Sequence, residues 1–271
     1  MENALFVERP AQLDDLHPDY TRVYFGEEFC GRRIPTPDAF REVAERCRAI
    51  GRRLTLLTPI VTEPELETLV AALAPALRIG AEHPQLGLEI AFNDWGVFEY
   101  YGTTSGFSPV LGTLLVRQKR DPGFRRIQSR QAPVSMSDAE IRHIRGLNVD
   151  SNRYIRDLVR GRFTRIELVN TWQGFVIESD IPASLYVPLV PFTTTRYCKW
   201  AAAAVGARNA SSYYECAMPC RDRVSRYVSD ACSLYLYGNT QFYVNQKIPE
   251  QLGTVDRLVF YAFSPFLPIA E

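Results

Sequence analysis

The stretch SSYYECAMPCRDR, residues 211 to 223, sets Cys216 and Cys220 three residues apart, beside two tyrosines and a run of charge, in a chain with six cysteines. Two further thiols stand in positions suited to chemistry: Cys30 in EEFCGRR and Cys198 in FTTTRYCKW, each directly after a strand-like run. Loops after strands are where parallel folds carry their chemistry, and the cationic neighbours of Cys198, Arg196 and Lys199, favour a thiolate. Four thiolates suit a zinc ion or an iron–sulfur cluster. The spacing departs from a zinc ribbon with two close knuckles, because Cys30 is remote and only one pair is near. Four scattered structural cysteines are the plain alternative. Cys47, on a helical apolar stripe, and Cys232, in a hairpin pattern, read as small buried hydrophobes.

Other polar groups compete for roles. Asn93 and Asp94, in FNDWG, end a strand where a carboxylate would accept a proton or bind a substrate hydroxyl; the competing reading is a turn that caps the next helix. Asn152 stands before the helical RYIRDLV, either facing a substrate from a barrel mouth or serving as an N-cap. The segment RQKRDPGFRRIQSR carries Arg117, Lys119, Arg120, Arg125, Arg126 and Arg130 against one acid, Asp121. Such a segment is a solvated loop, or it recognises carboxylate or phosphate through guanidinium forks. Trp200, Tyr213 and Tyr214 lie near the thiols in sequence, as core or as a shield from water. The three histidines, His17, His83 and His143, show no metal-ligand spacing, and no Gly-x-Ser-x-Gly elbow is present, so a hydrolytic site ranks low.

These residues need a frame. TRVYFG (21 to 26) reads as a strand, followed by a helix from Thr36 with Phe40, Val43, Ala44, Cys47 and Ile50 on one face. RLTLLTPI (53 to 60) is the next strand; Thr62 and Glu65 then open a helix in capping-box spacing, and Pro75 ends it. LGLEIAFND (86 to 94), SPVLGTLLV (108 to 116), FTRIELV (163 to 169) and SLYVPLVPF (184 to 192) continue the series of strands. This rhythm predicts an α/β fold with a parallel sheet, doubly wound or closed as a (β/α) barrel. The second half breaks the rhythm: residues 232 to 245 form a β-hairpin around Gly238 and Asn239, and VDRLVFYAF (255 to 263) is a last strand. No repeat or linker divides the chain, so residues 1 to 271 are read as one domain, with an excursion over 117 to about 150 and a cysteine-bearing segment at 198 to 220.

Composition limits the function classes. With 46% hydrophobic residues in 271, there is ample material for a core without disulfide staples. Thirty-one basic and thirty-one acidic residues cancel, which removes a global field for nucleic acid or anionic membrane. No run approaches the roughly 20 apolar residues that span a bilayer, and the first ten residues do not read as a signal peptide. A cytoplasmic location with reduced thiols is the expectation.

Four stretches, RVYFGEEFCGRR, LEIAFNDWGVFEYY, PLVPFTTTRYC and ECAMPC, resemble in order the hallmarks of the UbiU/UbiV branch of the collagenase-like peptidase (U32) family. The resemblance runs over about residues 20 to 262 and is diffuse outside those stretches. It implies a (β/α) barrel-like fold and a 4Fe-4S cluster on the positions that match, Cys30, Cys198, Cys216 and Cys220. It also implies oxygen-independent hydroxylation of a small molecule such as a quinone-precursor ring, or of a pyrimidine in RNA, with prephenate as oxygen source. The residue readings add the expected site roles: Asp94 and Asn93 orient substrate, Asn152 reaches it, and Arg117 and Arg120 of the basic excursion bind an anionic group of it or close over it as a lid. A related chain as heterodimer partner fits the same branch, in which case this chain is a non-catalytic cluster-bearing subunit. The sequence departs from the branch in its longer 117 to 150 excursion and in the short stretch after Cys220.

Overall fold

A computed structural model of the chain describes residues 1–102, 104–120, 137–196, 198–204, 216–221, 223–228 and 232–262. Eight parallel strands close a barrel in the order β1 (Glu2–Val7), β2 (Arg22–Gly26), β3 (Arg53–Thr58), β4 (Glu89–Phe92), β5 (Ser108–Leu111), β6 (Arg165–Val169), β7 (Ala183–Val187) and β12 (Val255–Tyr261), the last pairing back onto β1. The helices between them are α1 (Pro37–Ala49), α2 (Glu63–Glu82), α3 (Trp95–Tyr101), α4 (Thr113–Val116), α5 (Asp138–Arg145), α6 (Asn148–Ser151) and α7 (Arg153–Arg162). Between β7 and β12 the chain inserts β8 (Leu189–Thr194), α8 (Lys199–Ala204), β9 (Val224–Val228), β10 (Ser233–Tyr237) and β11 (Thr240–Val244). These four strands form a separate antiparallel sheet, ordered β8-β11-β10-β9. The fold is thus the (β/α) barrel that the alternation of elements predicts, with the hairpin of the second half in its own sheet.

Most barrel strands are buried on both faces, and alternation along them divides two environments. Val23 and Phe25 of β2, Leu54 and Leu56 of β3, and Ile166 and Leu168 of β6 belong to the shell packed beneath the helices, where Phe25 meets Phe40 of α1 edge to face at 5.1 Å. Ala4, Tyr24, Leu57, Ala91, Val110, Val169, Tyr186 and Val259 form the second cluster, and it includes Val190 and Tyr243 of the antiparallel sheet. Val169, Tyr186 and Tyr243 share this cluster near the C-terminal ends of β6 and β7, so the small sheet covers that mouth of the barrel.

The opposite end of the lumen is polar. Arg257 grips both oxygens of Glu89 at 2.7 and 3.0 Å, donates to Glu2 at 2.7 Å and donates to the Tyr24 hydroxyl at 2.7 Å. Tyr24 in turn donates to Glu167 at 3.0 Å, and Thr55 donates to Glu89 at 2.7 Å. The charges are buried but paired, which is the condition under which a barrel tolerates them.

Several boundaries differ from expectation, each for a local reason. The helix opened by Thr62 runs through Pro75 to Glu82, because its buried face, Leu69, Leu73, Ala76 and Gly80, continues past the proline. The strand expected over 108 to 116 stops at Leu111: Gly112 lies so close to Asn93 that a side chain there would collide with it, and Thr113–Val116 turns helical. The strand expected over 184 to 192 divides at the cis Val187–Pro188 peptide into β7 and β8. Proline has no N–H for a barrel ladder. Strands β1 and β9 were not anticipated; β1 alternates Glu2, Ala4 and Phe6 toward the lumen. No helix among the described residues is long and apolar enough to cross a membrane.

Candidate functional site at the covered barrel mouth

The loop after β2 begins at Gly26, whose φ of 139° suits glycine and whose α-hydrogen faces the Leu57 backbone too closely for a side chain. The Glu27 carboxylate then accepts the N–H groups of Phe29 at 3.0 Å and Cys30 at 3.4 Å, which folds the loop back on itself. Asn239, in the β10–β11 turn, donates to the Phe29 carbonyl at 2.8 Å and so fastens the hairpin to the loop that carries Cys30. On that same turn the Gly238 carbonyl lies 4.0 Å from the Cys198 sulfur, just before α8.

Four thiols form a chain of electrostatic neighbours around this turn. Cys30, Cys198 and Cys220 are buried and Cys216 is half-buried. Cys198 lies within electrostatic reach of both Cys30 and Cys220, and Cys216 within reach of Cys220. Burial pushes the Cys30 thiol up to about 12, with Glu27 and Cys198 adding to the rise. Burial also raises Cys220, and there Arg33 opposes it while Cys198 and Cys216 add to it. Such thiols stay protonated at neutral pH unless a cation replaces the proton. The Met218 N–H points at the Cys216 sulfur from 3.3 Å.

Arg33 lies within electrostatic reach of Cys30 and Cys220. It pairs with Glu27 at 3.2 Å, donates to the Tyr237 hydroxyl at 2.8 Å and stacks over that ring at 4.2 Å. Tyr237 donates to Glu8 at 2.6 Å. Beyond this group is a cavity of about 80 Å³ lined by Phe6, Glu8, Glu28, Asn239 and Tyr261 among others.

Glu28 is 2% exposed; one oxygen takes the Thr113 hydroxyl at 3.4 Å and the other has no partner. Burial, reinforced by the charges of Glu167 and Glu27, pushes its carboxyl up to about 8, with Arg120 opposing. Glu28 is therefore largely a neutral acid at pH 7 and can donate a proton. Arg120 donates to the carbonyls of Thr113 at 2.7 Å and Pro191 at 2.9 Å, while its Nε is buried without a partner. The hydroxyls of Tyr186 and Tyr261 are likewise buried and unpartnered. Glu28 and Tyr261 of the cavity wall thus each hold a buried polar atom without a partner, at the mouth where barrels carry their chemistry.

Of the residues singled out from sequence, Arg120 comes within electrostatic reach of Glu28 and Tyr261 at this cavity. Arg117 is exposed, in a left-handed conformation at the end of α4. Asn152 caps α7 through the N–H groups of Tyr154 and Ile155. Asp94 caps α3 through Gly96 at 2.7 Å and Val97 at 3.3 Å, and accepts from Val61 at 3.4 Å. Asn93 is buried, donating to the Thr58 carbonyl at 3.1 Å and accepting from Leu114 at 2.9 Å, so it joins the ends of β3, β4 and β5. We expect Asp94→Ala to cost about 1 kcal/mol in urea unfolding and Asp94→Asn much less, since asparagine also caps. A loss shared equally by both variants would point to the charge instead.

Arg125, Arg126, Arg130, Tyr213 and Tyr214 lie outside the described residues. Glu28, Tyr186 and Tyr261 escaped sequence reasoning. Their signals were the position of Glu28 two residues before Cys30 and the inward phase of the two tyrosines at the ends of their strands.

No family model matches the sequence, and no curated protein matches it either. Among solved structures, that of the U32 peptidase Mk0906 aligns over 97% of this chain and 93% of its own, at a TM-score of 0.41 and 13% identity.

Proposed function

We propose that this chain is an iron–sulfur enzyme of the UbiU/UbiV kind, with a 4Fe-4S cluster held by Cys30, Cys198, Cys216 and Cys220 beside the Glu28 cavity. The reaction is an oxygen-independent hydroxylation, or a related redox conversion, of a small molecule. The observation that supports this reading is that Cys198 lies within electrostatic reach of Cys30 on one side and of Cys220 on the other, with Cys216 in reach of Cys220. The residues fit such a group: the sulfurs are mostly buried, a backbone N–H points at one of them, and Arg33 offsets their negative charge. Among the described residues, no set of three or more ligands gathers around the point a single ion would occupy, and a cluster several ångströms wide asks for a wider spread.

When bound, the cluster would supply electron transfer. The chain's own residues would do the rest: Glu28 would deliver a proton to a substrate oxygen, Arg120 would orient an anionic group, and the antiparallel sheet would exclude water. Asn93 and Asp94 would hold the ends of β3 to β5 in place. A second reading, a supporting subunit in a heterodimer, draws on β9, an edge strand whose Tyr227 and Val228 are exposed. Co-purification of a related chain from the native host would favour it.

The test is purification without oxygen, followed by a visible spectrum and assays of iron and acid-labile sulfide. A brown protein with about four irons and four sulfides per chain is the expected result. A colourless protein with about one zinc and no sulfide would replace the redox reading with a structural metal site.

A further inference from the structure

A roomy cleft lies on another side of the same mouth. It measures about 810 Å³, and its walls include Arg145, Asn170, Trp172, Gln173, Arg226 and Lys247. We propose that this cleft is a second ligand site, for the phosphate monoester of a hydroxyl-bearing small molecule.

Three observations converge on that chemistry. The first is charge: the described lining contains three cations and no aspartate or glutamate. A monocarboxylate would leave most of that charge unmet, whereas a phosphate monoester brings about 1.5 to 2 negative charges. The second is a pair of buried amides. Asn170 is 0% and Gln173 3% exposed, and both follow directly on the C-terminal end of β6. The Asn170 amide nitrogen is committed to the carbonyls of Asn245 and Lys247, each at 3.0 Å, and that of Gln173 to the Lys119 carbonyl at 2.7 Å. Those bonds fix which end of each amide is oxygen, and neither oxygen has a hydrogen-bond partner. Two buried acceptors in the wall of a cationic cleft ask for donors on the ligand itself, as hydroxyl groups provide. An inorganic anion or a simple hydrophobe supplies neither in the right combination.

The third is shape. Trp172 stacks on Tyr243 with centroids 4.2 Å apart, and Tyr243 lies within electrostatic reach of Arg120. Trp172 in the cleft wall is thus braced by a second aromatic ring. A volume of this order suits a small organic ligand. Arg145 adds a guanidinium whose Nε is buried without a partner.

The site is independent of the thiols, so it is tested without reference to metal content. The purified chain would be titrated calorimetrically at low salt with ribose 5-phosphate, and in parallel with inorganic phosphate, ribose and gluconate. Ribose 5-phosphate should bind at least about tenfold tighter than each of the other three, because only it joins a phosphate to hydroxyl donors. Gln173→Met and Arg145→Gln should each weaken it about tenfold. Lys247→Gln, at an exposed position, should weaken it severalfold and guards against misfolding of the other two. Equal affinity for inorganic phosphate would reduce the cleft to a basic patch, and tighter binding of gluconate would make it a carboxylate site. Either result, or no binding by ribose 5-phosphate, overturns the proposal.

Discussion

Alanine in place of Cys198 is expected to strip the anaerobically purified protein of most of its iron and sulfide, with smaller or equal losses for Cys30→Ala, Cys216→Ala and Cys220→Ala. Cys198 stands between the others electrostatically, in reach of both Cys30 and Cys220, so its loss opens the middle of the site. A four-thiolate cluster with three ligands left is exposed to solvent and to loss of iron. Cys47 and Cys232 serve as controls. Cys47 is buried on α1, and burial pushes its thiol up to about 12, so its alanine variant should lose some stability and no iron. Iron and sulfide unchanged in all four single variants would remove the ligand assignment, and with it the redox reading. Equal losses in the Cys47 variant would show general destabilisation instead.

The second large effect is on stability, at the other end of the barrel. Replacing Arg257, 2% exposed, with methionine should cost about 3–5 kcal/mol in urea unfolding, because it leaves the buried carboxylates of Glu89 and Glu2 without their main partner. The pH dependence gives the mechanism away. In the intact protein burial would raise the Glu89 carboxyl, but Arg257 and Arg22 outweigh it and hold the group below its usual 4.5. A depressed carboxyl contributes stability above its unfolded value, and that contribution is lost as pH falls through the folded one. In Arg257→Met burial is opposed only by Arg22 and the Thr55 hydroxyl, so the penalty should be greatest at neutral pH and shrink toward pH 4 as the carboxyls take up protons. A second substitution, Glu89→Gln, should recover part of the loss at pH 7. A penalty independent of pH would assign the effect to lost packing rather than to unpaired charge.

The fold was legible in sequence to the extent that its signals are local. A strand buried on both faces shows as a dense apolar run, a helix start as Thr36 or Thr62 with its partners, and a hairpin as Gly238 and Asn239 between alternating strands. Neighbours a few residues apart suffice to produce each of these. Pro75 misled for the same reason: a proline disfavours a helix locally, but the apolar face of α2 is held by contacts remote in sequence.

The site was legible only in part. Cys30 and Cys198 stood out by position after strands, Cys216 and Cys220 as a close pair, and Arg120 by the charge around it. What the sequence by itself determined is the run of strands and helices, their caps, and which thiols stand in loops. Only the tertiary structure decided that Cys198 comes within electrostatic reach of both Cys30 and Cys220, that Asp94 and Asn152 spend their oxygens on helix caps, and that Glu28 is shut away beneath an antiparallel sheet. The reason is distance along the chain. Closure of the barrel and docking of the β10–β11 turn bring together residues more than a hundred positions apart, and burial, which decides whether a carboxyl keeps its proton, exists only once they have met.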